Sequence, residues 1–590
     1  MNSVASRWVA KVFRPGCSSS EDIRRDVFWL LSLGALLIAS GIGLRDPWPV
    51  DEPRFALIAR DMVTTGEWLI PQVGGDIYAD KPPLYFWLIA FWLELTGSLR
   101  IAFLLPSVLS GLGCTLLVYD LARRLWSRET GLIAAIALLF TAQFVWQARQ
   151  AQIDATLCFW TTLALYGLLR HLLQGPQWSW YCIGWIAAGL GVITKGVGFL
   201  PLFVLIPYAV LHADGWAPRF TAPATAKWLL GPIAFIGTIS VWLVPMLLAA
   251  QADPEIAAYR DEVLIDQTIG RYVDAWHHRK PFWYFALGVI PGLWLPLTAL
   301  LPWIVPQWRR AWQARDLRIA LLAIWVLMVV VFFSFSTGKR GVYMLPAVPA
   351  FALACAPYLR DVATRTGAQR LLFLVSLGVG CATALAIPYA LLDAERRSQV
   401  VAQTGVDPIT PLIAIAAIVA IICAIARPQR GFAAFGGVIV SLVLVIGFWL
   451  NPAMNAVRSG QDFVRRIEAT ADPNAPLGLV AFKEQYLLQI NRPVVHFGHA
   501  RWRESEQETM DAARWLGLST NGQLVVNADS LSLCFQQSER TPLGSANRSE
   551  WYLVRGSVDA RCIDRGAPVT YYYSPPALRR ERASMSEPRN

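Results

Sequence analysis

The sequence predicts a polytopic α-helical membrane domain, residues 1–452, followed by a small α/β domain, residues 453–590. Three observations carry that prediction. Hydrophobic residues make up 55% of the 590 positions and charged ones only 16%, against about 45–50% and about 25% in an ordinary soluble chain. Apolar runs of membrane-helix length recur from residue 27 to residue 450. Beyond residue 453, polar helical stretches alternate with short strand-like runs. One large water-soluble globule is thereby excluded, and so is a disordered scaffold.

A bilayer core of roughly 30 Å takes about 20 apolar residues in a helix. Spans are expected at 27–44, within 83–122, and at 130–148, 153–173, 180–194, 198–212, 227–250, 283–306, 317–336, 341–358, 371–392, 409–426 and 432–450. The first follows a tail bearing Arg7, Lys11, Arg14, Arg24 and Arg25. With so many spans after it, it reads as a retained helix rather than a cleaved signal.

Orientation follows from the basic residues. The net charge of +11 includes 45 arginines but only seven lysines. No basic block stands beside an aromatic RNA-binding signature, so the excess reads as topology and not as nucleic-acid binding. Arg123/Arg124/Arg128, Arg309/Arg310/Arg315/Arg318 and Arg360/Arg365/Arg370 mark cytoplasmic loops. The mixed or acidic segments 45–82 and 251–280 then face outward, the N-terminus lies inside and everything after residue 452 lies outside. Residues 83–122 must accordingly cross an odd number of times, yet as one helix they would run about 60 Å, twice a single crossing. One crossing plus an interfacial or re-entrant piece near 83–97 gives about 13 in all. The alternative is two crossings, with Arg123 and Arg124 outside.

In the C-terminal segment, helices are expected at Ser459 to Ala469 and Glu504 to Leu516, and strands at 477–482, 494–498, 523–527 and 551–556. The outer compartment is oxidising, so Cys534 and Cys562 stand there either as a disulfide or as two free thiols. Nine cysteines show no metal-binding spacing. The last dozen residues read as a disordered tail.

Ionisable residues beside membrane helices are costly and mark functional sites. The densest stretch is DEPRFALIARDMVTTGEWLIPQVGGDIYADKPPLYFWL, residues 51–88. It opens on the adjacent carboxylates Asp51 and Glu52. A short helix is expected next, with Phe55, Ile58, Ala59 and Met62 on one face suited to lying flat on a membrane. Tyr78, Asp80 and Lys81 follow, and Pro82-Pro83 halts the backbone. The same topology puts Asp154, Lys195, Lys339, Arg340 and Tyr343 on the outer side. Cations there suit an anionic lipid phosphate, and a carboxylate suits a general base or a partner for a positive substrate group. Departure of a phosphate from a sugar's anomeric carbon uses both, since cations stabilise the developing charge.

Residues 51–88 resemble the first external loop of the dolichyl- or polyprenyl-phosphate sugar transferases. This is the GT-C fold group that includes protein O-mannosyltransferases and bacterial aminoarabinose transferases of lipid A. The shared pattern here is D-E-P-R-F-A, G-E-W-L-I-P and Y-A-D-K-P-P-L-Y-F-W-L. The D-E-x-R, K-P-P and G-K-R-x-x-Y-x-L-P (338–346) segments are most similar to the aminoarabinose branch. The resemblance implies a GT-C fold with about 13 transmembrane helices and a C-terminal periplasmic α/β domain. It also implies inverting transfer of 4-amino-4-deoxy-L-arabinose from undecaprenyl phosphate to a lipid A phosphate at the periplasmic face of the inner membrane, which weakens attraction for polymyxin and other cationic antimicrobial peptides.

By motif position, the resemblance assigns Asp51 as the catalytic aspartate. Arg54, Tyr78, Lys81, Asp154, Lys195 and Tyr343 take cavity-lining positions, and Lys339 and Arg340 join them as substrate- or phosphate-binding candidates. Lys81 and Arg54 would hold the carrier phosphate. Asp51 would be the general base toward a hydroxyl acceptor, or would orient the amino sugar when the acceptor is itself an anionic phosphate. No cofactor is expected to be required. Asp80, where relatives often carry Glu, forms a candidate divalent-metal set with His277 or His278, although His-His beside Arg279-Lys280 more often marks a solvated loop. Two other readings compete with this one: the same fold serving a different sugar or acceptor, and a lipid transporter. Against the transporter, the charges gather at one interface rather than at mid-membrane, and no internal repeat is present.

Overall fold

The computed structural model of the chain describes residues 20–216, 225–264, 280–499, 505–563 and 566–576. His277, His278 and the C-terminal tail lie outside the described residues. Among those described, eight helices are long and apolar enough to cross a membrane, and up to ten if each of two bent pairs counts as one span. The pairs are Arg128–Leu139 with Ala142–Ala148, bent by 67°, and Tyr284–Leu293 with Thr298–Gln313, bent by 98°. Residues 83–122 divide into a short apolar helix, Leu84–Thr96, and a long span, Leu99–Leu125, with Gly97 between them in the left-handed conformation. The first expected span is the helix Ser20–Gly34 continued by the π-helical turn Ala35–Ala39.

Burial separates the spans into two kinds. Leu99–Leu125 and Gly341–Ala363 are mostly enclosed by protein, whereas Ala226–Ala252, Thr366–Leu392 and Ile409–Ala426 leave most of their apolar surface uncovered, as lipid-facing helices do. Polar groups tie the helix ends together, and they are paired, because a charge beside lipid is expensive alone. Asp26 takes Nε and Nη2 of Arg128 at 2.6 Å each and the Tyr119 hydroxyl at 2.7 Å. Asp46 accepts from Arg100 Nε at 2.7 Å and from Asn455 Nδ2 at 2.8 Å, joining the chain after the first span to the end of the last.

The expected helix after Asp51 is Glu52–Thr65. It opens with Pro53 in its first turn and stops at Gly66, φ +78°. Its surroundings differ from the expectation. Phe55, Ile58, Ala59 and Met62 are covered by protein, as are Ala56 and Leu57, so the face expected to meet a membrane is packed into the molecule. The helix Leu84–Thr96 supplies much of that cover, through Phe55 against Tyr85 and Phe86 at 5.5 and 5.6 Å between ring centres.

The hairpin of β1 (Gln72–Val73) and β2 (Asp76–Ile77) follows, turned at Gly74-Gly75. The C-terminal region carries a six-stranded sheet built from β3 (Leu477–Leu479), β4 (Val494–His496), β5 (Gln523–Asn527), β6 (Glu539–Ala546), β7 (Ser549–Arg555) and β8 (Tyr571–Tyr573). Their spatial order is β6-β7-β5-β3-β4-β8, with β3 parallel to both neighbours and the outer pairs antiparallel. The four expected strands are β3, β4, β5 and β7. The two expected helices appear as Gln461–Thr470 and Ser505–Leu518. Cys534 and Cys562 form a disulfide.

Candidate functional site

The two adjacent carboxylates at the head of the 51–88 segment part company. Glu52 is buried and accepts from both terminal nitrogens of Arg45, from the Trp48 N–H and from the Ala151 N–H, the last two at 3.0 Å each. Every lone pair that matters is used, so Glu52 is a structural hub. Through Ala151 it fixes this segment against the start of the helix Ile153–Gln174, which carries Asp154. Asp51 makes no cap bond to its own helix. Its Oδ2 lies 3.3 Å from Arg340 Nη2.

Asp154 and Lys195 come from consecutive helices. Lys195 ends the helix Trp178–Thr194 where the chain turns back into Gly196–Val204. The reversal is so tight that a Cβ on Gly198 would fall 2.0 Å from the Gly191 carbonyl carbon. This presents Lys195 Nζ to Asp154 Oδ1 at 2.6 Å and to the Tyr343 ring at 4.6 Å from its centre. Tyr343 lies in the Gly341–Ala347 turn, which Gln143 holds by donating to the Gly341 carbonyl at 2.9 Å. Burial works against the Arg340 charge, but Asp51, with Asp154 and Tyr343 behind it, outweighs that and raises its pKa. Asp51, Arg340, Asp154, Lys195 and Tyr343 thus form one cluster.

Beside it stands a second group. Arg54 Nε donates to Glu484 Oε1 at 2.7 Å, and its guanidinium carbon lies 5.8 Å from the Tyr78 ring centre. Burial opposes the Arg54 charge, yet Glu484 and Tyr78 raise its pKa well above the usual value. Burial likewise works against ionised Glu484, and Arg54 and then His499 more than offset it, so its carboxyl is held below the ordinary range. His499 Nδ1 is 3.5 Å from Glu484 Oε1, and its ring packs edge-on to Tyr78 at 5.7 Å. Burial lowers the His499 pKa, with Glu484 pulling the other way. Burial raises the Tyr78 hydroxyl's. Lys81 Nζ donates to the Asp80 carbonyl at 2.7 Å.

Lys339 is placed differently. It is buried and donates to the carbonyls of Ser336 and Lys280, the latter at 3.1 Å, so its charge locks the turn before Arg340. Among the described residues, no group of three or more His, Cys, Asp or Glu side chains is placed to hold a metal ion. Of the candidate metal set, Asp80 alone falls among those residues.

Nothing in the sequence singles out Glu484 or His499. They come from the C-terminal region, which docks on the helix Glu52–Thr65 and on the β1–β2 hairpin. Arg60 donates to the Leu487 and Leu488 carbonyls at 2.8 and 3.2 Å and to the Tyr573 hydroxyl. His496 Nε2 meets the Gly74 carbonyl at 2.9 Å, and the His499 N–H donates to Asp76 Oδ2 at 2.7 Å.

The arrangement offers three carboxylates, Asp51, Asp154 and Glu484, beside several cations, with aromatic walls. It can bind a phosphate through Arg54, Lys81 or Arg340 and hold a positive or hydroxyl group at Asp51.

Comparison with known proteins gives a consistent result. The family model for dolichyl-phosphate-mannose-protein mannosyltransferase matches residues 80–243. The undecaprenyl phosphate-alpha-4-amino-4-deoxy-L-arabinose arabinosyl transferase 1 of Pseudomonas fluorescens is 32% identical over 349 residues, which cover 56% of this chain and 60% of that one. The corresponding transferase of Yersinia enterocolitica is 31% identical over 375 residues, covering 60% and 63%. The chain therefore spans about three fifths of the length of the curated relatives it matches. The crystal structure of ArnT from Cupriavidus metallidurans bound to undecaprenyl phosphate is 20% identical, covers 91% of this chain and 98% of its own, and superposes with a TM-score of 0.69. The resemblance read from residues 51–88 is borne out, and the chain is a multi-span membrane protein with the helical GT-C fold of ArnT.

Proposed function

We propose that the protein is a lipid-linked-sugar glycosyltransferase that moves 4-amino-4-deoxy-L-arabinose from undecaprenyl phosphate to a lipid A phosphate. The observation that supports this most is the joining of Asp51 to Arg340 and of Asp154 to Lys195 and Tyr343, with Arg54 alongside on the turn after Asp51. The names of the sequence relatives carry the same lipid-linked donor and the same sugar. A second carrier sugar or acceptor is the remaining alternative.

In this reading an oxygen of the acceptor phosphate attacks the anomeric carbon. The bond from that carbon to the carrier-phosphate oxygen breaks, and undecaprenyl phosphate leaves with the electron pair. A single displacement inverts the anomeric centre. Arg54, Lys81 and Arg340 stabilise the charge on the departing phosphate. Since the acceptor is already anionic, Asp51 binds the sugar's ammonium group and aims the anomeric carbon; toward a hydroxyl acceptor it would be the base. Tyr78 and Tyr343 shape the pocket, and Asp154 holds Lys195 against it.

The same reading places the site at the periplasmic face of a bacterial inner membrane, with 13 crossings, the N-terminus in the cytoplasm and the C-terminal sheet region in the periplasm. The deciding experiment incubates purified protein with defined polyprenyl-phosphate sugars and lipid A and follows which sugar moves by mass spectrometry. Transfer of aminoarabinose to lipid A is the expected result; movement of the lipid without a new glycosidic bond would overturn it.

A further inference from the structure

We infer that Glu484 of the C-terminal region is a positioning residue for Arg54, fixing its guanidinium to receive the donor's phosphate. The inference rests on the role proposed above for Arg54. Arg54 lies one turn into the helix that begins after Asp51, on a side chain with enough rotamer freedom to sweep a wide arc. The structure removes that freedom from two directions: Nε is bound by Glu484 at 2.7 Å, and the guanidinium carbon is 5.8 Å from the Tyr78 ring centre. Nε carries only one of the five guanidinium N–H groups. The terminal nitrogens, whose parallel N–H bonds grip a phosphate in bidentate fashion, are not the atoms Glu484 takes.

The blander alternative is that the pair merely glues the C-terminal region to the rest of the molecule. Glue is already supplied elsewhere. Arg60, further along the same helix, carries docking bonds to Leu487, Leu488 and Tyr573. The hairpin adds Gly74 to His496 and Asp76 to His499. Glu484 is buried, and burying a carboxylate is costly unless its partner is fixed. Its partner Arg54 stands three residues after Asp51, at that end of the helix Glu52–Thr65 rather than at the Arg60 end.

The test measures binding of undecaprenyl phosphate to the full-length protein by native mass spectrometry, alongside donor and acceptor KM. Glu484→Ala is expected to weaken binding by about tenfold, the size of one lost orienting hydrogen bond to a charged group, and to raise donor KM but not acceptor KM. Glu484→Gln retains an oxygen for Nε and restores binding. Arg60→Ala lowers thermal stability but leaves binding unchanged. Adding Glu484→Ala to Arg54→Ala costs nothing more. If Arg54→Ala leaves binding intact, the phosphate role of Arg54 fails. If Arg54→Ala loses binding while Glu484→Ala keeps it, the positioning role alone is overturned. The positioning role also fails if Glu484→Ala and Arg60→Ala weaken binding alike.

Discussion

Asp51 Oδ2 and Arg340 Nη2, from positions 289 residues apart, meet at 3.3 Å. The Arg340 side chain is 45% exposed, and an ion pair of that kind adds at most about 1 kcal/mol to stability. The contact therefore holds little of the fold together. Asp51→Asn should leave insertion and thermal stability unchanged while lowering transfer by about 10² or more, the range for losing a charged catalytic group. Arg340→Ala should behave likewise, with a smaller loss because Arg54 and Lys81 remain. Sugar transfer assayed on detergent-purified variants checks both, and full activity in Asp51→Asn would sink the site assignment.

The Asp154–Lys195 pair makes the opposite kind of prediction. Both side chains are less than one fifth exposed, so removing either partner leaves a charge with poor solvation, at a cost of roughly 3 kcal/mol. Asp154→Leu and Lys195→Met should each lower the unfolding temperature. The double variant, which leaves no stranded charge, should recover most of it. Activity should stay lost in all three, because Lys195 also faces the Tyr343 ring at 4.6 Å. Recovery of transfer together with stability would reduce the pair to a structural tie.

The parts of the molecule that composition and periodicity control were legible in the sequence. Apolar runs located most of the long helices, including the division of residues 83–122, although eight to ten helices among the described residues, against about 13 expected, are long and apolar enough to cross a membrane. One continuous segment carried Asp51, Arg54, Tyr78 and Lys81. What was not legible depends on tertiary contact. Glu484 sits 430 residues from Arg54, at the start of a short helix whose Lys483-Glu484-Gln485 reads like any solvated surface. Lys339 shows the converse, since residue type cannot tell a lysine waiting for an anion from one bound to carbonyls. The β1–β2 hairpin did carry a signal, Gly74-Gly75 between Val73 and Asp76, but strands of two residues are too short to show alternation. The sequence of the helix Glu52–Thr65 predicts an apolar face for a membrane surface, and that face is covered by protein.

Gly74 is where that hairpin touches the C-terminal region, and it admits no side chain. Its φ is +64°, and a Cβ would lie 2.8 Å from His496 Nε2 and 3.0 Å from Leu487 Cδ1. Gly66, φ +78°, has nothing within 4 Å of the same position. Gly66→Ala should therefore cost only the left-handed backbone term, about 1 kcal/mol. Gly74→Ala should cost clearly more and also loosen the docked region. Hydrogen exchange across residues 484–499 reads the difference: faster exchange in Gly74→Ala but not in Gly66→Ala.

His496 makes the same interface sensitive to acid. Its Nε2 meets the Gly74 carbonyl at 2.9 Å while Nδ1 accepts from the Gly498 N–H at 3.3 Å, a pattern that a neutral ring with its proton on Nε2 satisfies on both sides. Burial lowers its pKa from 6.5 to about 4, with the Gly74 bond opposing. A ring released from the interface takes a proton near pH 6.5, and the docked ring resists until about pH 4. The docked state thus has its full stability above pH 6.5. It loses stability as pH falls through that window, by roughly 3 kcal/mol in all. His499, whose pKa burial also lowers, adds in the same direction. The unfolding temperature of the wild-type protein should fall between pH 7 and pH 5, and His496→Gln, which keeps a donor for Gly74 but cannot titrate there, should show a flatter profile. Identical slopes in the two proteins would remove His496 from the account of acid sensitivity.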